Sequence, residues 1–177
     1  METVLVQHRR RARRADVPDG PESEPDVRAA AYWSLWRQRH FPWAALDDGA
    51  RVLLLESWSS GARLTWLVEA RDVLRVEVAS QEEAVEVVSC WSGEPADEVA
   101  ASAYLAASAV ETGLVLGFRA DPVAWLGVDR PVDLRLDRNG WALARVDELA
   151  AWGVDLRRSG PGRDSFTSPG HPPTIVR

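Results

Sequence analysis

The sequence contains no lysine, and all 21 of its basic residues are arginine. A G+C-rich coding sequence would produce this bias, and selection for bidentate recognition of phosphate or carboxylate is the alternative explanation. The net charge is −6, and residues 27–158 alone carry 14 arginines against 20 acidic residues. Non-specific nucleic-acid binders have a basic surface. Any nucleic-acid contact is therefore expected to be local and pocket-like.

Cysteine is almost absent as well. Cys90 is the only one, which excludes an intrachain disulfide and a thiolate metal cluster and suits a reducing compartment. The apolar run at residues 4–6 is too short for a signal peptide, and no window reaches the roughly 18 apolar residues of a membrane span. We therefore predict a cytoplasmic protein that does not associate with a membrane.

Motifs for catalysis and for cofactor binding are also missing. Of three histidines only His40 lies in the predicted domain, whereas a zinc or iron site normally needs two or more His or Cys ligands. The chain has no Gly-x-Ser-x-Gly elbow, no Walker A loop and no Gly-x-Gly-x-x-Gly turn. We therefore predict no metal, no cofactor and no enzymatic activity. A carboxylate pair assembled from distant residues stays open.

Two segments rich in proline, glycine or charge flank one predicted domain. In residues 1–26 an arginine block, Arg9–Arg14, is followed by five acidic residues and three prolines, and residues 159–177 are rich in Gly and Pro. Such segments cannot bury enough apolar surface to offset their ordering entropy. We therefore predict disordered tails at 1–26 and 159–177 and an ordered domain over 27–158.

Apolar and β-branched runs predict most of the strands of this domain. They cover residues 50–58, 63–70, 73–78, 114–125, 131–138 and 141–146. Asp121-Pro122 predicts an edge or a bulge, because proline cannot donate to a central ladder. Asn139-Gly140 predicts a hairpin turn between the last two strands. Strands joined mainly by hairpins favour a curved mixed or antiparallel sheet or a barrel, hence an α+β fold.

Three helices are predicted between and after these strands. Residues 80–83 (Ser-Gln-Glu-Glu) form a capping box, in which the Ser80 hydroxyl accepts from the Glu83 N–H and the Glu83 side chain from the Ser80 N–H. This helix ends at the Ser-Gly-Glu-Pro of residues 92–95. The others run from a cap at Asp97 to about residue 111 and from a cap at Asp147 to residue 152. Residues 28–37 fit a short helix or a first strand.

Nine tryptophans against three Phe and two Tyr are the unusual feature of the composition. Four of them follow the apolar pattern of their elements and are predicted to lie in the core: Trp66, Trp91, Trp125 and Trp152. Trp58 instead precedes a Ser-Ser-Gly loop. There a half-exposed indole would stack on a flat ligand while hydroxyls bond the ligand's edge. An indole that closes the end of a barrel is the alternative.

This order of features resembles the PUA-like superfamily, and within it the EVE and YTH branch. The residues that carry the resemblance are Tyr32-Trp33, Asp48-Gly49 before the apolar run 52–55, Ser57-Trp58, the glycine-bounded strand 113–119 and the Arg130-Pro131 step. The similarity covers about residues 30–153. It implies a small β-barrel with two or three helices packed on it.

The resemblance also implies a function, the non-catalytic binding of DNA or RNA with a modified base flipped into an aromatic pocket. Flipping costs a few kcal/mol, and stacking on aromatic rings contributes about 1–3 kcal/mol per base. The implied stacking residues are Trp33, Trp43 and Trp58. The implied readers of the base edge are Ser57 and Ser59, and Arg63 and Arg138 would contact phosphates.

A protein-interaction module, antitoxin-like or immunity-like, is the alternative function, with a partner such as a nuclease. The acidic charge of the predicted domain and its many Trp residues suit this role, since Trp and Arg are common interface anchors. The Arg9–Arg14 block would be a docking arm in one case and a nucleic-acid arm in the other. A small-molecule-binding barrel or an enzyme with dispersed carboxylates is a third reading. A base binder needs a concave pocket, whereas an adaptor needs a flat apolar patch of several hundred Å².

Overall fold

The computed structural model describes residues 3–10, 19–102 and 113–156. Its six strands are β1 (Thr3–Arg10), β2 (Ala31–Trp36), β3 (Arg51–Trp58), β4 (Gly61–Val78), β5 (Gly113–Asp129) and β6 (Trp141–Arg145). Its five helices in these parts of the chain are α1 (Glu24–Ala29), α2 (Pro42–Ala45), α3 (Gln81–Ser92), α4 (Ala96–Ala100) and α5 (Val146–Ala151). The predicted α+β class is confirmed.

The strands form one mixed sheet in the order β2-β5-β4-β3-β1-β6. The hydrogen-bonded ladder is open, with β2 and β6 at its edges, so the predicted closed barrel is not confirmed. The sheet is nevertheless strongly curved. Phe118 of β5 and Trp141 of β6 are four strands apart, about 19 Å in a flat sheet, yet their ring centroids are 6.3 Å apart.

The N-terminal segment contributes an inner strand of this sheet. β1 pairs with β3 in parallel and with β6 in the antiparallel sense, and Val4, Leu5 and Val6 are buried. The predicted disordered tail over 1–26 is therefore wrong for residues 3–10 and 19–26. Three apolar residues are too few to predict a strand, but partners on both sides supply the missing hydrogen bonds and burial. Residues 1–2, 11–18 and the predicted tail at 159–177 lie outside the described residues.

The alternative left open for residues 28–37 is decided in favour of a strand, β2, and a short helix, α1, precedes it. Ser23 caps α1, and its hydroxyl accepts from the Asp26 N–H while the Asp26 carboxylate accepts from the Ser23 N–H. The helix ends at Ala29, and the chain continues at once into β2. β2 pairs with β5 in the antiparallel sense. The acidic residues that indicated disorder thus stabilise the N-terminus of a short helix.

β4 joins two strands that the sequence predicts separately, over 63–70 and 73–78. The break between them is Asp72, which has a positive φ of 52°, and the pairing of β4 with β5 shifts register there. Asp48 supports this bulge, because its carboxylate accepts from the Val73 N–H at 2.9 Å. A second register shift lies beside Pro122. The bulge predicted at Asp121-Pro122 is therefore confirmed.

The turn predicted at Asn139-Gly140 is present, but the two-stranded hairpin predicted around it is wrong. Residues 131–138 form no strand, and β6 pairs with β1 instead. Asp137 makes the turn, because its carboxylate accepts from the N–H groups of Asn139 and Trp141, both at 2.8 Å. Of the apolar residues in this irregular segment Leu134 is buried, whereas Val132 is exposed.

The helix predicted from Ser80 is confirmed as α3, and it ends at Gly93 with a φ of +79°. The Ser80 hydroxyl accepts from the Glu83 N–H at 3.1 Å. The return bond differs from the prediction, since Glu83 accepts from the Ala79 N–H at 2.6 Å. Helix α4 ends at Ala100, and residues 103–112 of the predicted second helix lie outside the described residues.

Side chains on the two faces of the sheet form separate cores. Val52 and Leu54 of β3 face a core that also holds Tyr32, Trp66, Phe118 and Trp141. Leu53 and Leu55 face a second core, which α5 covers through Leu149. A third cluster lies beneath α3. In the parts of the chain that the structure describes, no helix is long and apolar enough to cross a membrane.

Candidate functional site

The termini of four strands meet at one end of the sheet. β1 and β3 are parallel, so their carboxyl ends lie side by side. β4 begins and β5 ends at the same end of the sheet, because each is antiparallel to its neighbour. Arg63 of β4 pairs there with Asp129 of β5. We call this end of the sheet the Trp58 end. It collects polar residues because backbone groups that leave a ladder need other partners.

An open pocket of about 650 Å³ lies at the Trp58 end, and we call it the Trp58 pocket. Its lining residues are Trp58, Ser60, Gly61, Ala62, Arg63, Asp129 and Arg130. The indole N–H of Trp58 donates to the Ser60 hydroxyl at 2.7 Å, which fixes the plane of the ring. Ligand pockets commonly measure about 300–1,000 Å³, so a flat ligand of nucleobase size fits this volume.

The charges of the pocket come from three exposed side chains. Arg63 Nε donates to the Asp129 carboxylate at 2.7 Å, so this pair is close to neutral. The backbone N–H of Arg130 donates to the Ala62 carbonyl and places Arg130 on the pocket wall. No ion pair of its guanidinium is seen among the described residues. Arg130 therefore gives the pocket its net positive charge.

The two serines predicted to read a base edge bond within the protein instead. The Ser57 hydroxyl lies 2.9 Å from His8 Nε2. Ser59 donates its N–H to Asp19 at 3.2 Å, and its hydroxyl contacts the same carboxylate. Neither serine lines the Trp58 pocket, whereas Ser60 does.

Trp33 and Trp43 do not join Trp58. Trp33 packs against the cluster beneath α3. Trp43 packs against the core of the opposite face, and its carbonyl accepts from Arg75 at 3.1 Å. The predicted cage of three indoles is therefore not formed. Arg138 is exposed in the turn before β6, and it does not line the Trp58 pocket.

The tryptophans predicted to lie in the core divide into two groups. Trp66 is buried, as predicted. Trp125 is 41% exposed, although its ring makes an edge contact with Trp66, so its assignment to the core is wrong. Trp91 and Trp152 are half-buried, and their indole N–H groups donate to the Asp72 carbonyl and the Asp133 carboxylate.

A buried polar cluster lies behind the Trp58 pocket. Glu56, two residues before Trp58, is 0% exposed. Its carboxylate accepts from the Glu22 N–H at 3.2 Å. The Glu22 carboxylate pairs with Arg9 at 3.2 Å and accepts from the Tyr32 hydroxyl at 3.3 Å. The Glu22 carbonyl accepts from the Trp66 indole N–H at 2.9 Å. Glu22 thereby connects side chains of the four strands β1, β2, β3 and β4.

Burial determines the protonation of this cluster. It raises the pKa of Glu56 above its ordinary 4.5, and the negative charge of Glu22 raises it further. Burial also raises the pKa of Tyr32, although the positive charge of Arg9 opposes this. Tyr32 therefore remains a hydrogen-bond donor at neutral pH. The Arg9 guanidinium stacks 4.1 Å from the centre of its ring.

Sequence reasoning misses most of this cluster. Arg9 and Glu22 lie in the segment predicted to be disordered, and nothing local marks them. Glu56 did carry a signal, because strand periodicity places residue 56 on the same face as residues 52 and 54. A single acid that continues a buried face indicates a paired or protonated carboxyl group.

Metal and family evidence give no further assignment. Within the described ranges no group of three or more His, Cys, Asp or Glu side chains could hold a metal ion. No protein-family model matches the sequence, and no curated protein and no solved structure matches it significantly.

Proposed function

We propose that this protein is a non-catalytic nucleic-acid-binding module of the PUA-like kind, which receives a base at the Trp58 pocket. The observation that carries the proposal is the make-up of that pocket. Trp58, whose half-buried indole is held by Ser60, lines the pocket together with Arg63 and Arg130. An aromatic ring beside positive charge is the usual arrangement for a stacked base and its phosphate.

The overall charge makes this binding local. With Arg63 already bonded to Asp129, only one or two phosphates are contacted. The logarithm of the affinity then falls with the logarithm of salt concentration with a slope of about −0.7 to −1.8. This is much weaker than the slope of a broad basic surface. A base already unstacked, mismatched or modified costs less to extrude, so the proposed ligand is a base presented in a single strand or at a lesion.

A fluorescence titration of the full chain tests the proposal. Short single- and double-stranded oligonucleotides with plain, methylated or otherwise modified bases are added at physiological salt. We expect saturable quenching that depends on Trp58. Loss of stacking removes about 1–3 kcal/mol, so Trp58→Leu is expected to raise Kd between about 5-fold and 150-fold.

Trp43→Leu is the matched control, because Trp43 is also half-buried but packs on the core away from the pocket. Its Kd is expected to equal that of the wild type. Equal affinities of the wild type and Trp58→Leu for every oligonucleotide would reject the pocket. The absence of any quenching would reject nucleic-acid binding and lead to a search for a protein partner.

A further inference from the structure

The segment 19–23 lies across the Trp58 end and is held there by acidic side chains. Asp19 accepts two hydrogen bonds from Ser59, from its N–H and its hydroxyl. Glu22 accepts from Arg9 and from the Tyr32 hydroxyl. Ser59 directly follows Trp58 in the chain, so the segment contacts a residue adjacent to the lining of the Trp58 pocket.

The donors that hold these two carboxylates are also those that bind phosphate. A guanidinium group, a phenolic hydroxyl, and a paired backbone N–H and serine hydroxyl all recognise oxyanions. Tyr32 is only 2% exposed and its neighbour Trp66 5%, so the Glu22 carboxylate is held by a built, largely buried site.

The segment can leave without breaking the sheet. In the described part of the chain, residues 19–22 form no strand pairing. The bonds that connect them to the strands each use a side chain of Arg9, Tyr32, Glu56 or Trp66. These contacts are therefore separable from the backbone ladder, whose strands would stay in register.

Two buried polar groups near this end have no hydrogen-bond partner among the residues that the structure describes. Gln7 and Trp141 are register neighbours on β1 and β6, and they are 7% and 2% exposed. Gln7 Oε1 and Trp141 Nε1 are buried without a hydrogen bond among the described residues. Trp141 belongs to the same core as Tyr32. Buried polar atoms without partners are rare and often mark a functional site.

We propose that the donors now occupied by Asp19 and Glu22 form a phosphate-binding subsite, which a backbone phosphate of the nucleic acid enters as the 19–23 segment leaves. The subsite rests on the function proposed above and extends it, since it lies next to Trp58. The acidic segment competes with the ligand for the same donors.

Inorganic pyrophosphate is the probe, added at constant ionic strength to the full chain. Hydrogen–deuterium exchange is measured for a peptide that covers residues 19–23, and affinity is measured by calorimetry. Pyrophosphate is expected to accelerate exchange in this peptide. The double variant Asp19→Asn and Glu22→Gln keeps the shape of the segment and removes its charge, and it is expected to bind pyrophosphate at least tenfold more tightly.

The control is the double variant Asp47→Asn and Glu77→Gln, which removes the same charge at a distance. Its two acids pair with Arg75 and Arg39, away from the Trp58 end. Equal pyrophosphate affinities for the two double variants, or exchange that pyrophosphate leaves unchanged, would overturn the subsite. If loss of Glu22 unfolds the protein, Asp19→Asn alone, an exposed position, is expected to bind at least threefold more tightly, and unchanged affinity would overturn the subsite equally.

Oligonucleotide titrations separate this inference from the proposed function. Trp58-dependent oligonucleotide binding without a pyrophosphate effect would leave the function standing and reject the subsite. A pyrophosphate effect without oligonucleotide binding would support an anion site and reject nucleic-acid recognition.

Discussion

Replacement of Glu56 by Gln is expected to change how stability depends on pH. Glu56 is fully buried and lies beside the Glu22 carboxylate. The apolar interior and the nearby acid Glu22 both favour the neutral form of the Glu56 side chain. Gln has nearly the same shape, carries no proton that titrates, and still offers an oxygen to the Glu22 N–H.

The sign follows from proton linkage. The unfolded chain releases the Glu56 proton near its ordinary pKa of 4.5, whereas the folded protein holds it to higher pH. The contribution of Glu56 to the free energy of unfolding is fully present below pH 4.5 and is lost as pH rises through the raised pKa. The loss reaches about 1.4 kcal/mol per pH unit for one proton. Arg9, Tyr32 and Glu22 also lie in the cluster, and the variant retains all of them.

Urea unfolding followed by tryptophan fluorescence, from pH 4.5 to pH 8, measures this difference. The wild type and Glu56→Gln are expected to be similar at pH 4.5 and to diverge above it, with the variant the more stable at neutral pH. Glu77→Gln, an exposed acid, should run parallel to the wild type. A wild-type-minus-Gln difference that is constant over the whole range would refute the assignment of a raised pKa to Glu56.

Three further predictions follow from the fold and the pocket. Leu5→Ala should lower the free energy of unfolding by about 2–5 kcal/mol, because Leu5 is buried in an inner strand; a change below about 0.5 kcal/mol in urea unfolding would mean that β1 is not part of the fold. Gly117→Ala should destabilise by about 1–3 kcal/mol, because its Cβ would lie 2.8 Å from a Trp91 ring atom, whereas Gly61→Ala, with nothing within 4 Å, should cost little in the same assay. Arg130→Gln should reduce the salt slope of oligonucleotide binding by about 0.7–0.9. An unchanged slope would mean that Arg130 contacts no phosphate of the ligand.

Local patterns predict those elements whose partners lie nearby. β3 is marked by its apolar run, and α3 by the Ser80 cap and the Gly93 terminus, because strand burial and helix capping act within a few residues. The bulge at Pro122 follows from the missing N–H alone. In each case the information that fixes the structure lies inside the element.

Elements that depend on distant partners could not be predicted. Val6 pairs on one side with Leu53 and on the other with Ala142, so its strand is decided by contacts that no window contains. Residues 131–138 alternate like a strand, but β6 pairs with β1 and these residues add no strand to its other side. Of their apolar side chains Leu134 is buried and Val132 is exposed, so the alternation predicts neither the pairing nor the burial of every residue.

The candidate site shows the same division. Trp58 was identified because a bulky aromatic residue beside a Ser-Ser-Gly loop is a local signal, and it does line a pocket. Trp33 and Trp43, which only the resemblance implies as stacking residues, lie elsewhere and pack on clusters away from the pocket. Glu22 reaches the site because the fold brings distant segments together, whereas the composition of its own segment predicts disorder.

The position of β1 also constrains the order of assembly on the ribosome. Of the described strands β1 is synthesised before the other five, yet one of its hydrogen-bonded neighbours, β6, is synthesised after all of them. Until β6 emerges, one side of β1 presents unpaired backbone groups and the apolar side chains of Val4 and Val6. Such an edge can pair with another chain, and pairings between distant segments form slowly. The nascent protein is therefore most exposed to misassociation in the interval between the completion of β3 and the arrival of β6.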